Sequence, residues 1–231
     1  MSAEKPEGAV GTDGADRAAS LDAQFMDAIM SSKRAAPALD KLGGLLELGA
    51  HVDGPDRDGM PMRRAISQNS EPLVNFLLDA GADVHAEVSA SLTTNTLLHW
   101  AAYLCRLAAR NLQHKAPLAI IVTLIAAGAD PAAGDCKGEL PASLLGTDLS
   151  APFRNVFSCP LHAAIELQRP DLCVKLLDRG HDPLGKNKKR QTAWSLAKSH
   201  SPECLGAMQS WLASRAIEDL LHRACLRNTI G

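Results

Sequence analysis

Leu77-Leu78-Asp79-Ala80-Gly81-Ala82-Asp83-Val84 is one of four copies of a single string in this chain. The others are Leu45-Leu46-Glu47-Leu48-Gly49-Ala50-His51-Val52, Leu124-Ile125-Ala126-Ala127-Gly128-Ala129-Asp130-Pro131 and Leu176-Leu177-Asp178-Arg179-Gly180-His181-Asp182-Pro183. Each reads as the end of a helix: an aliphatic pair on the buried face, two solvent positions, then a glycine that can close the helix in the left-handed region without a Cβ penalty. The chain must turn at every copy. Downstream of most of them stands a helix start, with Pro in the first turn at Met60-Pro61, Leu140-Pro141 and Cys159-Pro160, or with Thr as N-cap at Thr96-Leu97 and Thr192-Ala193. The unit is therefore a helix, a short turn, a second helix and an extended loop.

Composition agrees with stacked units of this kind. The chain has 231 residues, 46% hydrophobic but only 3% aromatic, and roughly one residue in six is alanine. Small side chains let helices approach closely, whereas a sheet sandwich wants Val, Ile, Tyr and Phe. A formal charge of −2 excludes a global basic field for sequence-blind nucleic-acid or membrane-surface binding. No window approaches the length of apolar sequence that a membrane span needs, and no basic stretch leads into an apolar one near Met1. Cys105, Cys136, Cys159, Cys173, Cys204 and Cys225 are widely spaced with no C-x-x-C, which indicates neither a disulfide framework nor zinc. The expected home is a reducing cytoplasm.

The units resemble ankyrin repeats, whose pattern is D-x-x-G-x-T-P-L-H-x-A-A, a second helix ending in L-L, then G-A-D-V-N. The likeness covers most of residues 21–214 and implies an all-α ankyrin-repeat solenoid of about five helix-turn-helix repeats. Asp135, Gly138 and Pro141 fall on the family's Asp, Gly and Pro, and Ala65, Ala101, Ala102 and Ala164 on the small positions where first helices of neighbouring repeats touch. In the family the histidine of T-P-L-H bonds backbone of the adjacent loop, a role that falls on His99 and His162. Arg63 and Ser195 take that position elsewhere.

The capping glycines locate two insertions. Gly49 and Gly81 are 32 residues apart, near the family's period of about 33, but Gly81 to Gly128 is 47 and Gly128 to Gly180 is 52. The first insertion, about 103–116, predicts a first helix lengthened to about His114 and a second helix from Pro117. The second, 142–158, predicts a loop packed by Phe153 and Phe157, with the repeat resuming at Pro160; a degenerate repeat is the alternative. Residues 1–20, polar with one strongly apolar residue, are expected to be a disordered tail. Residues 215–231 are expected to form a separate C-terminal capping helix, as terminal repeats must turn a polar side to water.

No catalytic motif is present: no phosphate loop, no G-x-S-x-G, no H-E-x-x-H. Cys159 and His162 have C-x-x-H spacing without a second pair, so no metal and no cofactor are expected. Cys136 sits at a loop tip beside Lys137, where an idle surface thiol is the plainer reading.

The resemblance implies instead a concave binding face made of loop tips and first helices. The candidate partner-binding residues are Arg57, Asp58, Met60, Ser67, Gln68, Tyr103, Leu104, Lys137, Glu166, Lys188, Lys189 and Arg190. Tyr103 and Trp100 are the aromatic candidates, each with packing as its alternative role, and for Trp100 packing is the preferred one. Lys186-Asn187-Lys188-Lys189-Arg190 is the one concentrated charge feature, a docking site for an acidic segment or a solvated loop. Arg190 stands where the family has Gly, which predicts an altered turn. The expectation is a non-enzymatic binding module acting as adaptor, inhibitor or immunity-type neutraliser, bacterial in source, a monomer or one-to-one complex with a protein partner, with no nucleic acid and no membrane. A bacterial effector delivered to another cell, or an enzyme with its site in 142–158, is the alternative.

Overall fold

Gly49, Gly81, Gly128 and Gly180 close four helices in one manner, with φ of +104°, +89°, +109° and +87°. In each, the glycine N–H donates to the carbonyl three residues back, as from Gly81 to Leu78 at 3.0 Å. The next N–H reaches five residues back, as from Ala82 to Leu77 at 2.9 Å. These bonds satisfy the last carbonyls of each helix and close it by the same pair of contacts four times. The computed structural model describes residues 12–31, 37–54, 60–90, 93–109, 115–145 and 156–229.

The chain is mostly helical. The helices are α1 (Thr12–Ser31), α2 (Pro37–Glu47), α3 (Met60–Ser67), α4 (Glu71–Asp79), α5 (Leu97–Ala109), α6 (Lys115–Ala127), α7 (Pro141–Leu144), α8 (Pro160–Glu166), α9 (Pro170–Asp178), α10 (Ala193–His200) and α11 (Pro202–Thr229). They stack as antiparallel-type pairs in chain order. First helices meet first helices, α1 against α3, α3 against α5 and α8 against α10. Second helices meet second helices, α4 against α6, α6 against α9 and α9 against α11. Ala65, Ala101, Ala102 and Ala164 are all buried, as closely approaching first helices require.

The interhelical turns inside two pairs are also alike. Asn69 and Gln168 stand in the left-handed region at φ of +53° and +57°. Their N–H groups donate to Ile66 and Ile165, both at 2.9 Å.

Helix α6 differs from the other second helices in having no polar side. Leu118 to Ala126 are all buried, Thr123 included, because α4, α5, α8 and α9 surround it. Arg169 clasps α9 to the start of α4 through Glu71 and is braced by Asp171 at 2.8 Å. Its bond to Asp171 holds that carboxyl below its ordinary value. At the C-terminal end of α6 the Arg179 guanidinium donates to the Ala127 carbonyl.

Several expectations need correction. The tail expected through Ser20 is helical from Thr12, since Ala15, Ala18 and Ala19 favour helix and Leu21, Phe25 and Ile29 anchor the same helix in the core. Residues 1–11 lie outside the described residues. The capping helix expected as a separate element at 215–231 is continuous with the last second helix, because no Gly or Pro interrupts 207–229. Second helix α6 starts at Lys115 rather than Pro117, and the expected end of α5 near His114 lies outside the described residues. In the second insertion both proline starts form helix, α7 on α5 and α8 on α6. Leu145 and Val156 are buried, while 146–155, Phe153 among them, lie outside the described residues. Phe157 packs partly buried against the core. One loop is a hairpin, β1 (Glu87–Ala90) antiparallel to β2 (Thr93–Thr96) with Val88 opposite Asn95; three Thr in the second strand favour it.

Candidate binding groove and finger loops

The loops between units are held from within and from the preceding helix pair. In the loop at 135–139 the Asp135 Oδ1 accepts from the N–H groups of Lys137 and Glu139, each at 2.8 Å. In the loop at 187–191 the buried Asn187 accepts through Oδ1 from Lys189 at 2.9 Å and Gln191 at 3.0 Å. The backbone bonds match too: Gly138 to Asp135 at 2.9 Å and Arg190 to Asn187 at 2.8 Å. Gly138 has φ of +75° and Arg190 of +59°. The turn expected to change at Arg190 therefore keeps the shape of the loop at Gly138, because the Asn187 side chain supplies bonds that offset the strain of a Cβ in that region.

Histidines brace both loops. His99 Nε2 donates to the Glu139 carbonyl at 2.8 Å and His162 Nε2 to the Gln191 carbonyl at 2.9 Å. A carbonyl only accepts, so each ring carries its proton on Nε2. In His99 the Nδ1 is then left to accept from the Thr96 hydroxyl at 2.8 Å. The Glu139 N–H, then the Lys137 N–H, hold the Asp135 carboxyl below its ordinary value.

Away from the loops, α1, α3 and α5 form a groove of about 350 Å³ lined by Met26, Met30, Met60, Arg63, Arg64, Ser67 and Trp100. Met30 and Met60 are 46% and 42% exposed. Trp100 is fixed on three sides. Arg63 lies over its ring at 4.6 Å, Tyr103 stacks beside it at 5.7 Å, and its Nε1 donates to Ser67 Oγ at 2.9 Å. Arg106 in turn lies over Tyr103 at 5.5 Å. The result is a pair of stacked rings with a guanidinium at either end, on two helices.

Of the expected binding residues, the structure brings Met60, Ser67 and Tyr103 together at this groove. Gln68 is instead a brace: its amide donates to the Ile29 carbonyl at 2.8 Å, and its Oε1 is enclosed. Leu104 packs partly buried against the core. Lys137, Glu166, Lys188, Lys189 and Arg190 are exposed on loop tips and on the end of α8. Arg57 and Asp58 lie outside the described residues. Sequence reasoning missed Met26, Met30, Arg63 and Arg64. A signal was available, since three of the six methionines gather here.

Two other clefts are chemically different. An outer groove of about 430 Å³ over α4, α6 and α9 carries Asp79 and Asp178 beside Lys175 and Arg179, so its charges cancel. A cleft of about 190 Å³ holds Cys159, His181 and Lys186 near the last loop. There burial pushes the Cys159 thiol up, partly offset by Lys188, and burial pushes His181 down, helped by Arg179. Both shifts work against a thiolate–imidazolium pair of the kind that activates a nucleophilic cysteine. Among the described residues no cluster of His, Cys, Asp or Glu is arranged for a metal ion, and no helix is long and apolar enough to cross a membrane. Compared with known protein families and with curated proteins, the chain matches none.

Proposed function

We propose that the chain is an ankyrin-repeat module that binds a protein partner and performs no chemistry of its own, serving as an adaptor, inhibitor or immunity-type neutraliser. Four repeated glycine closures, two histidine-braced loops and stacked helix pairs support the repeat reading. The observation that carries the binding reading is the groove at Trp100. A partly buried indole held by Arg63, Tyr103 and Ser67 leaves an edge that is costly to keep against water and is already ordered. Rigid aromatics and arginines of this kind anchor protein interfaces at low entropic cost. The basic loop Lys186–Arg190, whose tip Asn187 holds rigid, is a second contact point suited to an acidic stretch. A one-to-one complex is expected.

Affinity purification of the full chain from its native host tests this reading. A co-eluting protein that protects α1, α3, α5 and the loop tips in hydrogen exchange is the expected result. A chain that elutes alone, or protection confined to the outer face of α4, α6 and α9, would overturn it.

A further inference from the structure

Resting on the reading of a protein-binding module, we infer the chemistry of the segment it takes: the groove across α1, α3 and α5 accepts a partner segment in which apolar side chains are interspersed with carboxylates. The apolar part of the groove is thioether and indole, from Met26, Met30, Met60 and Trp100. Unbranched, polarizable methionines conform to side chains of differing shape. The occupant therefore needs apolar residues, not one particular residue.

Charge decides the rest. Arg63 and Arg64 line the groove, no carboxylate lines it among the described residues, and Arg106 adds a third cation over Tyr103. None of the three arginines is held in an ion pair among the described residues. Stacking on a ring occupies the face of a guanidinium and leaves its N–H edge, the part that meets a carboxylate in two parallel bonds. A basic segment would meet three like charges. A purely apolar one would strip water from guanidinium groups and give nothing back. The outer groove, with charges of both signs, offers no such discrimination. Three neighbouring helices span roughly 16–20 Å at ordinary packing distances, which an extended segment of about six residues covers.

Random dodecapeptides displayed on phage and selected against the full chain provide the test. The expected pool is enriched in Asp and Glu together with Leu, Met or Phe. Its affinity should fall about tenfold or more in Arg63→Glu/Arg64→Glu and in Trp100→Ala, and should hold in Lys175→Glu, on the outer groove. Arg64 is exposed, so Arg64→Glu alone keeps the test alive where Trp100→Ala lowers stability; unfolding temperatures identify that case. An empty selection, a pool without acidic excess, or binding that survives charge reversal at Arg63 and Arg64 overturns the inference. Peptides lost only in a Lys188→Glu/Lys189→Glu variant also overturn it, while leaving the protein-binding reading in place.

Discussion

The Arg179 guanidinium occupies the space that a β-carbon on Gly128 would need, and from there it donates to the Ala127 carbonyl at the end of α6. Gly128 thus serves twice, once for its φ of +109° and once for its missing side chain. Gly81, at φ of +89°, serves only the first purpose, with open space around its Cα. Gly81→Ala should cost about 1 kcal/mol, the ordinary penalty for a β-carbon in the left-handed region. Gly128→Ala should cost about 2 kcal/mol, because Arg179 is also displaced and the carbonyl bond is lost. In an Arg179→Ala background the Gly128 substitution should return to about 1 kcal/mol, a coupling that a double-mutant cycle in chemical denaturation reads directly. Equal costs in both backgrounds would show that the arginine is not seated there.

His162 should prove necessary to the last loop rather than to any chemistry. Its Nε2 bond to the Gln191 carbonyl is buried on the histidine side, so His162→Ala removes one of that carbonyl's two bonds, leaving the Asn187 N–H at 2.9 Å, and costs about 1 kcal/mol for the lost bond. The local readout is sharper: amides of 187–191 should exchange faster, while those of the 135–139 loop, held by His99, should not change. Faster exchange in both loops would mean that the stack had loosened as a whole.

The helix ends were legible in the sequence because each is decided within eight residues. A Leu pair four and three residues before Gly49, Gly81 or Gly180 contains the whole capping argument, and no distant contact is needed to complete it. The braces of His99 and His162 could be anticipated for the same reason, once the repeat supplied the neighbouring loop. What escaped was decided elsewhere. Polar residues 12–20 read as tail by composition, yet they are carried as helix by Leu21, Phe25 and Ile29 downstream. Arg190 reads as a broken turn until the Asn187 side chain is seen to hold it. The groove is harder still. Met26, Met60 and Trp100 come from three units, and no single repeat reveals that they share a surface.

The two loop anchors, Asp135 and Asn187, make the same pair of bonds with different side chains. Asp135→Asn should therefore leave the unfolding temperature at neutral pH close to that of the parent, whereas Asp135→Ala should lower it. The variants should part in acid. The Asp135 carboxyl is held below its ordinary value of 3.8 by the N–H of Glu139 and then that of Lys137. A depressed folded value contributes stability that is full above 3.8 and is lost as pH falls through the folded value. Over that interval the parent should lose stability more steeply than Asp135→Asn; parallel profiles would show that the carboxylate charge adds nothing to the loop.

Five cysteine side chains sit in environments different enough to order their reactivity. Cys136 is exposed, Cys159 half-buried, and Cys105, Cys173 and Cys204 buried. Burial pushes the Cys105 thiol up to about 12, and burial followed by the neighbouring Cys204 pushes Cys173 up as well. Since the thiolate is the species that reacts, alkylation with iodoacetamide at neutral pH should label Cys136 first and Cys159 more slowly. Cys105 and Cys173 should label only as fast as the chain unfolds, so their rates should rise together with added denaturant while that of Cys136 stays level. Peptide mass spectrometry over a time course separates the sites. Early labelling of Cys173 in the native chain would mean that the packing of α9 against α11 opens independently of global unfolding.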